Sequence, residues 1–138
     1  MSGSMIYKAA PTVLASALTL TGSLVASTTE VDTSLASYVT LFVDYTKGGS
    51  ATLLELVVEE QVQGDTTWRQ TSAQSSGTPS GGAVAVELVS TTYTVTATGS
   101  REITVPCYGA SKLRVKVRET GTPGGSVTVT AVASRVGG

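Results

Sequence analysis

Tyr38-Val39-Thr40-Leu41-Phe42-Val43-Asp44-Tyr45 decides the fold. Read at period two, Val39, Leu41, Val43 and Tyr45 share one side, and Tyr38, Thr40, Phe42 and Asp44 share the other. In a pleated strand successive side chains point to opposite faces, so this spacing predicts a half-buried β-strand. Lys47-Gly48-Gly49-Ser50 reverses the chain, and Leu53 to Val62 resumes the alternation. There Leu54, Leu56, Val58 and Val62 are expected inside, with Leu53, Glu55, Val57 and Glu59 outside. Further on, Gly64-Asp65 is a turn and Trp68 to Thr71 a short strand. Ser72 to Gly82 reads as an irregular loop of Ser, Gly and Pro. Val84, Val86 and Leu88 alternate next, followed by Tyr93, Val95 and Ala97, and then Ile103 and Val105. Leu113, Val115 and Val117 alternate with Lys112, Arg114, Lys116 and Arg118. After the turn Gly121-Thr122-Pro123-Gly124-Gly125, Val127, Val129 and Ala131 alternate with threonines. With the segment Val13 to Thr21, this predicts an all-β fold. The expected architecture is an antiparallel β-sandwich or jelly roll of about seven to nine strands.

Composition agrees. The 138 residues fit one domain, and only 14% are charged. Val and Thr recur throughout, and branching at Cβ suits them to sheet rather than helix. No segment carries helical spacing. The net charge of −1 gives no general attraction to nucleic acid or to acidic lipid. No uninterrupted apolar run approaches the roughly 18 residues of a helical membrane span. Lys8 followed by Pro11 to Leu20 has the outline of a secretory signal, but Thr12, Ser16, Thr19, Thr21 and Gly22 dilute it, and none is expected.

Catalysis has little to work with. Histidine is absent, which removes the usual general base and the commonest metal ligand. Asp32, Asp44 and Asp65 follow no calcium-loop spacing, and adjacent Glu59 and Glu60 must point to opposite faces of a strand. Cys107 is the single cysteine, so no intrachain disulfide forms; it is expected to be a small semi-buried side chain of a protein made in a reducing compartment. We expect no catalytic residue, no metal and no cofactor.

Two features invite a binding role. Lys112, Arg114, Lys116 and Arg118 place four of the nine basic residues on one face of one strand. They are candidates for docking a partner, or else for pairing with Glu55 and Glu59 on a neighbouring strand. No aromatic residues interleave with them, which argues against nucleic acid. Gly64-Asp65-Thr66-Thr67-Trp68 weakly resembles the Asp-Gly-x-Thr-Trp hairpins of sialidase-type repeats and some carbohydrate-binding sandwiches, with the Gly-Asp order reversed. Trp68 is expected to cover its hairpin.

Residues 1–35 stand apart from residues 36–138, the expected sandwich. They hold Val13, Leu14, Leu18, Leu20, Leu24 and Val25, then a polar stretch from Ser27 to Ser34. This segment either adds a strand to a neighbouring subunit or pairs within its own sandwich. Deleting residues 1 to about 25 is expected to impair assembly more than folding.

Tyr38-Val39-Thr40-Leu41-Phe42-Val43-Asp44-Tyr45-Thr46-Lys47-Gly48, then the acidic strand and Gly/Asp turn from Leu54 to Trp68, resemble small β-sandwich structural proteins of tailed bacteriophages. The tyrosine strand Thr92 to Thr98 and the basic strand Leu113 to Arg118 continue the likeness, which covers roughly residues 36–133. The resemblance implies a non-enzymatic virion component: a capsid decoration (cement) protein, a head–tail accessory protein or a fibre-like subunit. It implies a homo-oligomer that binds virion proteins such as a major capsid protein, made in the host cytoplasm and carried in the virion. The group offers no functional residue motif to carry over. The rival expectation is a cell-surface adhesion or carbohydrate-binding module, which would require export.

Overall fold

Thirteen strands follow one another in the computed structural model, which describes residues 5–75, 87–107 and 109–137; no helix occurs among them. In chain order they are β1 (Met5–Lys8), β2 (Thr12–Thr19), β3 (Val25–Ala26), β4 (Val31–Asp32), β5 (Tyr38–Thr46), β6 (Ala51–Gln61) and β7 (Arg69–Gln70). Then come β8 (Ser72–Ser75), β9 (Glu87–Ser90), β10 (Thr92–Val95), β11 (Gly99–Pro106), β12 (Lys112–Gly121) and β13 (Ser126–Gly137).

They build an antiparallel β-sandwich. One five-stranded sheet runs β11, β5, β13, with β1 and β2 both pairing along the far side of β13. The other, six-stranded, centres on β6 and β12; β7 and β10 lie along β6, and β3 and β4 along β12. β8 and β9 pair separately as a hairpin. The two large sheets therefore contain more strands than the alternation predicts, because β1, β3, β4 and β7 are only two to four residues long.

Parity decides the core. Val39, Leu41, Val43 and Tyr45 of β5 pack with Val127, Val129 and Ala131 of β13 against Leu54, Leu56 and Val58 of β6 and Leu113, Val115 and Val117 of β12. Burying each Val or Leu side chain of this set stabilises the fold by roughly 1.5–3 kcal/mol. Leu14 of β2, Leu20 and Val31 of β4 belong to the same cluster. The N-terminal segment from Thr12 to Asp32 is thus woven into both sheets of its own sandwich, and the polar stretch after Ser27 supplies an edge strand of the β12 sheet rather than a tether.

Several local expectations are corrected. Val62 is 50% exposed, because β6 ends at Gln61 and a turn closed by Asp65 N–H on the Val62 carbonyl (3.0 Å) begins there. Val57 is buried although its parity is outward, since Thr92 of β10 and Lys116 of β12 flank it across the sheet. The strand after Trp68 is only Arg69–Gln70, and Ala97 lies beyond the end of β10. Ser72–Ser75, read as loop, is strand β8; residues 76–86, with Val84 and Val86, lie outside the described residues.

Candidate functional site

The four cations of β12 stand in one row on the outer face of its sheet, as their alternation with Leu113, Val115 and Val117 requires. Each meets a carboxylate. Arg114 lies directly opposite Glu59 on β6 and its Nε donates to Glu59 Oε1 at 2.8 Å. Lys116 Nζ approaches the other oxygen of Glu59 at 3.7 Å. Arg118, opposite Glu55, donates to it at 2.5 Å, and Lys112 faces Glu30 at 3.9 Å. The Arg114 guanidinium also stacks over the Trp68 ring, 4.3 Å from its centroid. Three carboxylates and an indole therefore already answer the row, and one face of Trp68 carries an arginine. Pairs of this kind contribute about 0–1 kcal/mol each, so their clearest effect is to neutralise this surface.

A second polar centre lies inside the sandwich. Glu119 continues the buried parity of Leu113, Val115 and Val117 and is fully enclosed. Its Oε2 accepts the Tyr45 hydroxyl at 2.5 Å and Gly48 N–H at 2.9 Å. Its Oε1 accepts Gly124 N–H at 2.9 Å and Gly125 N–H at 2.8 Å. Burial alone would raise its pKa, but the backbone donors and the phenol favour the ionised form and hold it at about 2. The same contacts and burial raise the Tyr45 pKa, so the phenol stays a donor. One carboxylate thus ties the β5–β6 turn to the β12–β13 turn. Glycine is required where the turns touch: a Cβ on Gly125 would meet the Thr46 carbonyl and lie 2.6 Å from Glu119 Oε2. Glu119 was not among the residues singled out from the sequence. Its signal was there: an acid at a core parity, two residues before a glycine-rich turn.

The remaining polar groups are mostly engaged. A hollow of about 660 Å³ is lined by Glu30, Asp32, Asp65 and Lys112. Asp32 accepts the Ser34 hydroxyl and N–H, which lower its pKa. Asp65 accepts Thr67 N–H and the Arg69 guanidinium, which bring it to about 2. Glu60, pushed up by burial, has one oxygen without a hydrogen-bond partner and lines a hollow of about 260 Å³ with Thr71, Thr91 and Tyr93. Cys107 is buried, and that burial together with nearby Glu60 raises its thiol to about 12. Such a thiol is not a nucleophile. Among the described residues no three Cys, Asp or Glu side chains gather as a metal site.

No family model and no curated protein matches the sequence. Solved structures share its fold. The SPBc2 prophage-derived protein YomS is similar in fold with a TM-score of 0.51 at 13% identity, over 94% of this chain and 95% of that one. The structure of infectious bursal disease virus, Gx strain, is similar with a TM-score of 0.52 at 12% identity, over 99% of this chain. The match spans 33% of that viral chain, about a third of its length. The all-β sandwich of this protein is thus a fold found in a prophage-derived protein and in a virus.

Proposed function

We propose that this chain is a non-enzymatic structural subunit of a tailed bacteriophage virion, a capsid decoration or head–tail accessory protein. It works by self-assembly and by binding other virion proteins such as the major capsid protein. The observation that carries this reading is the likeness to prophage-derived YomS over nearly the whole of both chains. The site chemistry supports it: Glu55, Glu59, Glu119 and the cations of β12 are spent on holding strands and turns together, and Cys107 is inert. A net charge of −1 and an already answered basic row favour protein partners over a phosphate backbone. The chain is then made in the host cytoplasm and carried in the particle. Mass spectrometry of purified virions tests this. Peptides of this chain in fixed proportion to the major capsid protein are expected, and their absence from particles while the chain accumulates in the host overturns it.

A further inference from the structure

The sheet edges of this sandwich are not equally protected. Edge strand β11 carries Arg101 at an inward parity opposite Val43, Glu102 outward, and Pro106 at its end. Charges and proline of this kind blunt an edge against pairing. β3 and β4 are two residues each, and β10 turns Val95 into the core. Of the remaining described edges, β2 also lacks charge and proline but is bulged twice against β13 and carries Ala17 at a φ of 45°, whereas Met5-Ile6-Tyr7 of β1, equally free of charge and proline, pairs in unbroken register. The pairing of β5 with β13 ends at Ser134, so β1 and the end of β13 leave the sandwich as a two-stranded ribbon. On it Met5, Ile6, Tyr7 and Val136 are 57%, 57%, 44% and 47% exposed. A two-stranded ribbon in water is marginal by itself, and apolar side chains on both faces call for a cover.

Its backbone says what kind. Ala9 N–H donates to the Ala133 carbonyl at 2.9 Å. Antiparallel alternation then turns the N–H and C=O of Tyr7 and Met5 toward β13, and those of Ile6 and Lys8 outward. Val136, opposite Ile6, accordingly gives its N–H to Ser37 Oγ at 3.0 Å instead of to β1.

We propose that β1 is a pairing edge for a second copy of this chain. A two-fold axis beside Tyr7 sets Ile6 opposite Lys8 of the second copy and the reverse, giving four main-chain hydrogen bonds, with the two tyrosines facing each other. The charges suit it: Lys8, the one ion in β1, lies opposite isoleucine and not opposite its own equivalent. This goes beyond the virion reading and does not rest on it.

The experiment uses the full chain. The two Tyr7 positions form a non-bonded antiparallel pair with Cα atoms about 4.5 Å apart, within disulfide reach. Tyr7→Cys is therefore expected to give a covalent dimer on oxidation, and Ile6→Cys far less. Ile6→Pro removes only an outward N–H, so it should weaken the dimer at least tenfold in sedimentation with its melting temperature unchanged. Wild type monomeric at about 100 µM, no cross-link through Tyr7→Cys, or an Ile6→Pro chain that still dimerises would each overturn the pairing. A monomer whose entry into particles is lost in Ile6→Pro would give the edge to another virion protein, and also overturns it. A β1 dimer absent from particles leaves the pairing standing and removes the virion reading instead.

Discussion

A carboxylate sealed from water ordinarily destabilises a fold, because the lost hydration is not replaced. At Glu119 four donors replace it, three of them backbone N–H groups of the β5–β6 and β12–β13 turns. Removing the acid leaves those donors unpaired. Glu119→Ala is expected to cost about 3 kcal/mol, a fall of roughly 10 °C in melting temperature for a domain of this size. pH gives a second handle. The folded pKa, about 2, lies below the ordinary value of 4.5, so the contribution is fully present above that ordinary value. It is lost as pH falls through about 2, where the folded state must also take up the proton. Asp65 and Asp32 shift the same way, so the wild type should lose stability between those limits, and a Glu119→Gln chain should show a flatter dependence in parallel melts.

Strands were legible in proportion to their length. β5, β6, β12 and β13 each run nine or more residues, and parity in the sequence placed most of their core side chains and the outward row of β12. What it could not place were β3 and β4, two residues each, whose pairing depends on a distant edge being free and on no pattern of their own. Ser27 illustrates this: its N–H reaches the Val115 carbonyl at 2.8 Å and its hydroxyl accepts Val115 N–H at 3.3 Å, so a polar residue takes part in a sheet edge. The basic row was legible as a row, and its partners Glu55 and Glu59 were visible, but Glu30 and Trp68 come from loops. A double-mutant cycle on Arg114 and Glu59 should yield a coupling of about 0.5–1 kcal/mol that shrinks with added salt. If the chain has the proposed virion role, replacing Lys112 and Lys116 with alanine should leave attachment to particles unchanged in a co-sedimentation assay.

For the molecule as a unit, the N-terminal segment is divided. Residues 1–25 include Leu14, Ala15 and Leu20 of the core and the whole flank that β2 lays along β13. Their loss exceeds what a domain stable by about 5–15 kcal/mol can absorb. A chain lacking them should show no cooperative thermal transition, so the deletion should cost folding first, where the sequence alone led us to expect the greater loss in assembly. Removing residues 1–8 takes, among the described residues, β1 from the ribbon and nothing from the core, and should leave the transition within a few degrees, read by circular dichroism.

The position of β13 also sets the order in which this protein can come into being. It separates β2 from β5, and Ala17 and Thr128, which share a hydrogen bond, stand 111 positions apart. Ribosomes deliver roughly 5–20 residues per second, so the early strands wait seconds for the one that unites them. Until it arrives, β5 and β2 have open, apolar flanks inside the cell. Such a topology folds late, slowly and all at once, which makes the nascent chain a client for chaperones and makes any prematurely terminated product a source of aggregates.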